Sequence, residues 1–168
     1  MELTNKNVFV TGSSRGIGLA IAHKFASLGA NVVLNGRGQL GQDLLDSFAG
    51  YGVKVLAISG DISSAQDAKR MVTEAIETLG SVDILVNNAG IGDFGNIEEM
   101  PSETWEQVIH TNLFGVYYTA KAVYPFLKEK GQGDIVNVAS TAGLKGGPNM
   151  SAYAASKAAV VSLSQSML

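Results

Sequence analysis

The sequence contains no cysteine, and this absence excludes disulfide bonds, thiol nucleophiles and thiolate metal sites. Charged residues are also scarce, at 16% of the chain, and twelve basic against fifteen acidic side chains give a net charge of -3. Such a chain lacks the surplus of positive charge with which nucleic-acid and membrane-surface binders meet phosphates. No apolar run approaches the roughly 18 residues of a membrane span, and the first residues show no signal-peptide pattern. We therefore expect a cytoplasmic protein that binds neither nucleic acid nor membrane.

Length and apolar content are, by contrast, those of a folded domain. The chain has 168 residues, of which 46% are hydrophobic, so we predict one domain over residues 1–168. Short apolar runs that predict strands lie at 7–11, 31–34, 53–58, 82–86 and 134–138. Segments that predict helices lie at 18–28, 39–49, 63–79, 102–127 and 151–168, the third beginning with a capping box at 63–66. Alternating strands and helices predict an α/β, Rossmann-like, doubly wound parallel sheet with helices on both faces.

The last predicted helix, from Ser151 to Leu168, has no glycine or proline to end it. In an α/β fold this helix should lead to a further parallel strand. Without that strand, segment 134–138 would be an uncovered apolar edge, which is a hazard for aggregation. We therefore expect the chain to be incomplete at its C-terminus. The alternative is a short protein whose sheet edge is covered by a partner.

Glycine is abundant, at 20 residues, and three of these lie in the segment 11–18 (TGSSRGIG). This segment directly follows the first predicted strand and opens the first predicted helix. Glycines there let the backbone turn sharply and approach a pyrophosphate, whose charge a helix N-terminus favours. The position between a strand and a helix therefore indicates a dinucleotide-binding loop rather than a glycine-rich turn without a ligand.

Two further motifs stand after later strands. The segment 87–90 (NNAG) follows the fourth predicted strand, and 153–157 (YAASK) opens the last predicted helix. Together with the G-x-x-x-G-x-G spacing of residues 12–18, these motifs resemble the short-chain dehydrogenase/reductase family over the whole chain. The overall pattern, especially residues 143–157, is similar to the 3-oxoacyl-acyl-carrier-protein reductases and their paralogues.

Tyr153 and Lys157 are four residues apart, so they share one face of the predicted helix. Phenols titrate at about pH 10, and a neighbouring ammonium favours their ionised form, which suits a general acid or base acting on a carbonyl or alcohol. Taken alone, such a pair is more often part of a solvated helix face. The resemblance implies that Tyr153 transfers the proton and that Lys157 also binds the nicotinamide ribose. It further implies that Ser140 orients the substrate and that the backbone of Asn112 holds a water linked to Lys157.

The resemblance also implies a set of residues around the cofactor. Asp61 would accept a hydrogen bond from the adenine amino group, although an aspartate there also suits the first turn of a helix. Asn88 would stabilise the central strands, and Ala89 and Gly90 would allow the cofactor to approach the backbone. The residues that the resemblance assigns to cofactor binding are Gly12, Ser14, Arg15, Gly16, Ile17, Gly18, Arg37, Asp61, Ile62, Asn88, Ala89, Gly90, Tyr153 and Lys157. No metal is implied.

The choice of cofactor depends on the end of the second strand. A carboxylate there would bind the ribose 2′-hydroxyl and repel a 2′-phosphate. This chain has Asn35, Gly36 and Arg37 instead, with no acid before Asp43. Because Arg37 and Arg15 can make charge-assisted, forked hydrogen bonds to a phosphate, we predict NADP(H) rather than NAD(H). The alternative is that Arg37 is a solvated turn residue.

These expectations predict an NADPH-dependent carbonyl reductase, or alcohol dehydrogenase in reverse, similar to 3-oxoacyl-acyl-carrier-protein reductases. Its substrate would be a small ketone or an acyl thioester, including one carried on acyl carrier protein. The family's substrate lid lies beyond the last predicted helix, so reductases of sugars, polyols or small diketones are alternatives. A non-catalytic dinucleotide-binding module is an alternative of another class. The resemblance also implies that helices 102–127 and 151–168 pair with their copies in a homodimer or homotetramer.

Overall fold

The computed structural model describes residues 3–167, which form one parallel sheet flanked by helices. The strands are Asn7–Val10 (β1), Asn31–Gly36 (β2), Val55–Ser59 (β3), Ile84–Asn87 (β4) and Asp134–Asn137 (β5). All pairings between them are parallel, and their spatial order is β3-β2-β1-β4-β5. The predicted Rossmann-like parallel sheet is therefore confirmed.

The helices follow the strands, and their bounds differ from the predicted ones at several ends. They are Gly16–Ser27 (α1), Gln42–Asp46 (α2), Ala65–Leu79 (α3), Ser102–Ile109 (α4), Gly115–Lys130 (α5) and Ser151–Ser166 (α6). The predicted helix 39–49 shrinks to α2, because glycines at 38, 41 and 50 disfavour helix. A π-helical turn, His110–Phe114, interrupts the predicted helix 102–127. The predicted end of the last helix at Leu168 lies outside the described residues.

The capping box at the start of α3 is shifted by one residue from the predicted position. Ser64, rather than Ser63, is the N-cap residue, and its Oγ accepts a hydrogen bond from the backbone N–H of Asp67 at 3.2 Å. The Asp67 carboxylate does not close the box on Ser64. It accepts instead from the backbone N–H of Asp61 at 2.9 Å, which ties the end of β3 to the helix. The helix ends, as predicted, at Gly80, whose φ of +86° is left-handed.

Helices cover both faces of the sheet because side chains alternate along each strand. In β1, Phe9 faces one side and packs with apolar residues of α3 and α5. Its neighbours Val8 and Val10 face the other side and pack with α1. All three side chains are fully buried, and burial of each contributes roughly 1.5–3 kcal/mol. The predicted doubly wound arrangement follows from these two separate cores.

The amino-terminal edge of the sheet is held by one buried carboxylate. Asp83 lies just before β4, is 4% exposed, and accepts a hydrogen bond from the backbone N–H of Asn7 at 2.8 Å. Lys130, at the end of α5, donates to its other oxygen. Burial raises the pKa of Asp83, but the hydrogen bonds from Lys130 and Asn7 and the charges of Lys130 and Lys6 outweigh it. The pKa therefore lies below the ordinary value of an aspartate.

The strand order places the reversal of winding between β1 and β4. From β1 the chain winds outward to β2 and β3, and it then returns to place β4 and β5 on the other side. Ligands of open α/β sheets bind at such a reversal, outside the carboxyl ends of the strands. At the far edge, within residues 3–167, β5 has no outer neighbour, and its Val136 is 47% exposed. No helix in the same range is long and apolar enough to cross a membrane.

Candidate active site

A cleft of about 620 Å³ opens at the carboxyl ends of the strands. Every residue predicted to contact a cofactor lines it, from the segment 12–18 to Lys157 on α6. The structure adds lining residues that the sequence reasoning did not assign, namely Asn35, Gly36, Gly60, Ile91, Gly92, Phe94, Thr111, Val138 and Ala139. Two predicted catalytic residues are not among those that line it: Asn112 is fully buried, and Ser140 is half-buried directly after the lining residue Ala139.

The glycines of the segment 12–18 serve packing within the protein as well as access for a ligand. Gly12 has a φ of +62°, and a Cβ there would lie 2.8 Å from the Cα of Ala89. A Cβ on Gly18 would lie 2.3 Å from the backbone oxygen of Gly12. These two positions therefore bring the loop against itself and against the loop after β4. Around Gly16, by contrast, no described atom lies within 4 Å of a Cβ position.

The N-terminus of α1 leaves backbone N–H groups for a ligand. Arg15 occupies the N-cap position in an extended conformation, and no side chain among residues 3–167 caps the helix there. The first turn also holds no acidic residue. Orphan N–H groups and the helix dipole both favour an anion at this position, so the geometry fits a pyrophosphate.

Asn35, at the end of β2, connects the glycine-rich loop to β3. Its side chain is 2% exposed, and Oδ1 accepts a hydrogen bond from the backbone N–H of Gly12 at 3.1 Å. Nδ2 donates to the backbone oxygens of Ile58 at 3.2 Å and Gly60 at 3.3 Å. The sequence reasoning treated this asparagine only as the end of a strand. The signal that could have found it is a polar side chain at the boundary of an otherwise apolar buried strand.

The loops after β1 and β4 are joined by Thr11 and Asn88. The fully buried Thr11 hydroxyl oxygen accepts from the backbone N–H groups of Asn88 at 3.0 Å and Ala89 at 3.1 Å. Asn88 Nδ2 donates in return to the backbone oxygens of Thr11 and Gly12. Asn88 thus connects the two central strands at the edge of the cleft, the position expected for its stabilising role.

Tyr153 and Lys157 lie on the first turns of α6 and both face the cleft. The Nζ of Lys157 lies 5.9 Å from the centroid of the Tyr153 ring. This ammonium group donates to the backbone oxygen of Val138, just after β5, at 2.7 Å. Lys157 is 5% exposed, and burial lowers its pKa below the ordinary value of a lysine. A buried lysine with a lowered pKa beside a phenol is suited to exchange protons at the cleft.

Asn112 is fully buried in the π-helical turn between α4 and α5. Its Oδ1 accepts from the backbone N–H of Ile91, and its Nδ2 donates to the backbone oxygen of the same residue, both at 2.8 Å. Nδ2 also donates to Ser156 Oγ at 3.1 Å, and that hydroxyl donates to the backbone oxygen of Tyr153 at 2.7 Å. The asparagine therefore fixes the loop after β4 relative to α6. Its side chain is linked to the backbone of Tyr153 through Ser156, a residue to which the sequence pattern assigned no role.

Gly90 separates Asn112 from the cleft. A Cβ on Gly90 would lie 3.1 Å from Asn112 Oδ1 and 3.6 Å from Lys157 Nζ. A side chain at residue 90 would therefore crowd both the Asn112 amide and the Lys157 ammonium group. π-Helical turns often occur at functional sites, and this one places a buried amide beside α6.

Ser140 follows β5 and begins the short 3₁₀ turn Thr141–Gly143. Its Oγ accepts a hydrogen bond from the backbone N–H of Ala142 at 3.1 Å, while its neighbour Ala139 lines the cleft. A hydroxyl group has one hydrogen to donate besides its acceptor sites. The turn therefore orients Ser140 as an acceptor and leaves the donor role predicted for it chemically available.

The other end of the cleft carries the remaining charges. Arg15 and Arg37 are exposed and line the cleft, as does the half-buried Asp61. One oxygen of Asp61 accepts from the backbone N–H and the hydroxyl of Ser63, at 2.9 and 2.7 Å. Asp61 therefore has the local role in the turn before α3 that was considered for it, and it also faces the cleft. Two guanidinium groups against one carboxylate make this end positive, which fits a phosphate-bearing ligand.

Metal chemistry has no candidate ligand set in this part of the chain. Among residues 3–167, no group of three or more histidine, aspartate or glutamate side chains could hold a metal ion. The residues present fit a dinucleotide, with backbone N–H groups for the pyrophosphate at one end and a tyrosine–lysine pair at the other.

Comparison with known proteins agrees with this geometry. A model of the short chain dehydrogenase family matches residues 6–168. The chain is 41% identical over 160 residues to a D-beta-hydroxybutyrate dehydrogenase of Cupriavidus necator, covering 95% of this chain and 62% of the relative. It is 37% identical over 163 residues to a 3-oxoacyl-[acyl-carrier-protein] reductase of Staphylococcus epidermidis, covering 96% of this chain and 67% of the relative. The structure of an NAD+-bound xylitol dehydrogenase superposes with a TM-score of 0.95 at 32% identity, covering 99% of this chain and 65% of that one. The chain thus spans about two thirds of the length of these relatives.

Proposed function

The chain belongs to the short-chain dehydrogenase family, and on that premise we propose that it catalyses the NADPH-dependent reduction of a ketone and the reverse oxidation of an alcohol. One observation carries the proposal. A single cleft is lined both by the glycine-rich loop at the N-terminus of α1 and by Tyr153 and Lys157 on α6. A ligand-binding module without catalysis would have no use for a phenol beside a buried lysine at the end of its cleft.

Each catalytic side chain has a role that its surroundings support. A bound nicotinamide supplies the hydride in reduction and accepts it in oxidation. Tyr153 donates its phenolic proton to the carbonyl oxygen, and the hydroxyl of Ser140 donates a hydrogen bond to the same oxygen. Lys157, whose pKa burial lowers, stabilises the phenolate that proton donation leaves. Asn112 holds α6, which carries Lys157, to the loop after β4 through its hydrogen bonds to Ser156 and Ile91.

Steady-state oxidation of NADPH in the presence of acetoacetyl esters tests this activity. The expected result is turnover that saturates with ester and falls by a factor of about 100 or more in Tyr153→Phe, because general acid catalysis contributes about 10²–10⁴-fold. Saturable NADPH binding without turnover on a broad panel of ketones would favour a non-catalytic module instead.

The cofactor preference rests on the two arginines at the open end of the cleft. Arg15 and Arg37 line it, and β2 ends in Asn35 and Gly36 where a carboxylate would repel a 2′-phosphate. The chain therefore favours NADP(H) over NAD(H). In Arg37→Asp, the KM for NADPH should rise by about 10- to 100-fold, the loss expected for one charged hydrogen bond, and NADH should become the better cofactor. Lys69→Asp, the same change of charge at an exposed residue outside the cleft, is the matched control. An unchanged NADPH affinity in Arg37→Asp would make the assignment wrong.

The substrate class with most support is a 3-oxoacyl thioester, including one on acyl carrier protein, since a reductase of that name is among the relatives. Sugars, polyols and small diketones are the alternative, supported by the xylitol dehydrogenase of the same fold. Comparing kcat/KM for an acetoacetyl thioester with that for a sugar at equal concentration distinguishes the two.

A homodimer or homotetramer belongs to the same proposal. Small side chains on α6, among them Ala155, Ala158 and Ser162, are exposed and would permit close helix packing. Sedimentation of the purified protein tests this, and a monomer at micromolar concentration would contradict it.

A further inference from the structure

Phe94 forms an apolar wall beside the proposed proton donor. Its side chain is 58% exposed, it lines the cleft, and its ring meets that of Tyr153 at a centroid distance of 5.8 Å and an interplanar angle of 62°. Such an edge-to-face pair fixes the relative orientation of the two rings. Phe94 therefore places exposed aromatic surface in the same cleft as Tyr153, in contact with the Tyr153 ring.

Backbone contacts on two sides constrain the position of the Phe94 ring. A Cβ on Gly92 would lie 3.0 and 3.2 Å from two carbons of the Phe94 ring, so the ring lies directly over bare backbone. On the other side, the backbone N–H of Gly95 donates to the backbone oxygen of Asn149 at 3.0 Å. Asn149 has a φ of +60° and lies just before α6. The loop that carries Phe94 is thereby tied to the segment that leads into the catalytic helix.

Most of the charged residues that line the cleft lie away from Phe94. Of the described residues that line it, Arg15, Arg37 and Asp61 follow β1, β2 and β3. At the Tyr153 end, Lys157 is the charged lining residue, and its Nζ is directed to the backbone oxygen of Val138. A substrate carboxylate placed against Phe94 would lose its hydration without gaining a cation, which is costly. An alkyl or aryl group there would leave water for an aromatic surface, which is favourable.

We propose that Phe94 is a specificity-determining residue that selects carbonyl substrates with an uncharged, apolar chain beside the carbonyl group. The inference rests on the proposed carbonyl reductase activity and names its substrate class. It favours medium-chain 3-oxoacyl groups over short free oxo acids, whose carboxylate lies within two carbons of the reacting carbonyl, and over sugars.

The test is a homologous series of ethyl 3-oxobutanoate, ethyl 3-oxohexanoate and ethyl 3-oxooctanoate, with free acetoacetate as the charged comparison. In the wild type, kcat/KM should rise about fourfold for each methylene that reaches the ring. Acetoacetate should be a poorer substrate than its ethyl ester. In Phe94→Ala the ratio of kcat/KM for ethyl 3-oxooctanoate to kcat/KM for ethyl 3-oxobutanoate should fall, so that the dependence on chain length flattens. In Phe94→Leu, which keeps an apolar surface, most of the dependence should return.

Two further variants make the test specific to the ring. Ile97→Ala removes an apolar side chain that is 74% exposed on the same loop but outside the cleft, and it should leave the dependence on chain length unchanged. Gly92→Ala keeps Phe94 but displaces its ring, so the dependence should weaken. NADPH binding, followed by nucleotide fluorescence, reports that each variant is folded.

An equal loss on all three esters in Phe94→Ala, or a preference of the wild type for free acetoacetate, would overturn the inference. Turnover that does not depend on chain length would overturn it and leave the proposed reductase activity standing. Absence of turnover with every carbonyl compound, despite NADPH binding, would instead overturn the proposed activity, and the inference with it.

Discussion

Replacing Asn35 with alanine should destabilise the protein and weaken cofactor binding together. The side chain is 2% exposed and makes hydrogen bonds to Gly12, Ile58 and Gly60. These backbone groups belong to the glycine-rich loop and to the end of β3, which both line the cleft. Alanine removes these three hydrogen bonds and the contact of Nδ2 with Met71 Sδ at 3.1 Å, and it leaves the Gly12 N–H without its side-chain acceptor.

The size of the effect follows from these contacts. Each hydrogen bond contributes about 1 kcal/mol net, and a buried group left unpaired costs about 1–3 kcal/mol. The expected loss in the free energy of unfolding is therefore about 2–4 kcal/mol. A domain is stable by about 5–15 kcal/mol in total, so the variant should still fold.

Urea unfolding followed by circular dichroism measures the loss. With an m-value of about 1–3 kcal/mol per molar urea, the midpoint should fall by about 1–2 M while the slope stays the same. Asn96→Ala is the matched control, since that asparagine is exposed and its side chain bonds only Glu98 among the described hydrogen bonds. Its free energy of unfolding should change by less than about 0.5 kcal/mol.

Asn35→Asp tests the acceptor role and the donor role of this side chain separately. The carboxylate keeps an acceptor for the Gly12 N–H but places negative charge against the backbone oxygens of Ile58 and Gly60. The loss should therefore be at least as large as in Asn35→Ala at neutral pH. It should shrink in acid, where the protonated carboxyl can donate again. A loss below about 1 kcal/mol in Asn35→Ala, less than one net hydrogen bond, together with unchanged NADPH affinity, would refute the reasoning.

Three further predictions test other contacts. The pKa of Asp83 is lowered on folding, so its contribution to stability is present at neutral pH and is lost as the pH falls below about 4. Asp83→Asn should therefore cost stability in urea at pH 7 and less at about pH 3, and an equal cost at both would contradict this. The pKa of Lys157 is lowered by burial, so the unfolded state binds more protons and the wild type should gain thermal stability relative to Lys157→Met as the pH rises above neutrality. The same variant should lose turnover, and parallel stability profiles would show that the burial argument fails. A Cβ on Gly18 would lie 2.3 Å from the backbone oxygen of Gly12, so Gly18→Ala should weaken NADPH binding by about tenfold or more in a fluorescence titration, the effect of about 1.4 kcal/mol. Gly50→Ala, where no described atom lies within 4 Å of the Cβ position, should bind NADPH as the wild type does.

The helices show where the local pattern was sufficient and where it was not. Apolar spacing together with Gly80 located α3 to within a few residues, because helix propensity and capping are local properties. The same pattern over 102–127 gave no sign of the π-helical turn His110–Phe114. That turn accompanies hydrogen bonds of Asn112 to Ile91, 21 residues earlier in the chain, which no periodicity reports.

The sequence by itself determined the class of fold and the place of the cleft. Its glycine-rich and asparagine motifs directly follow strands. Because the carboxyl ends of parallel strands lie at the same edge of a sheet, the residues predicted from these separate motifs line a single cleft. Only the tertiary structure decided which polar groups hold that cleft open and what faces the substrate. Asn35 accepts a hydrogen bond from Gly12, which lies 23 residues away in the chain. Phe94, in the loop after β4, packs against Tyr153 on α6. Such contacts depend on how separate elements pack, and side chains within loops carry no periodic signal from which that packing can be derived.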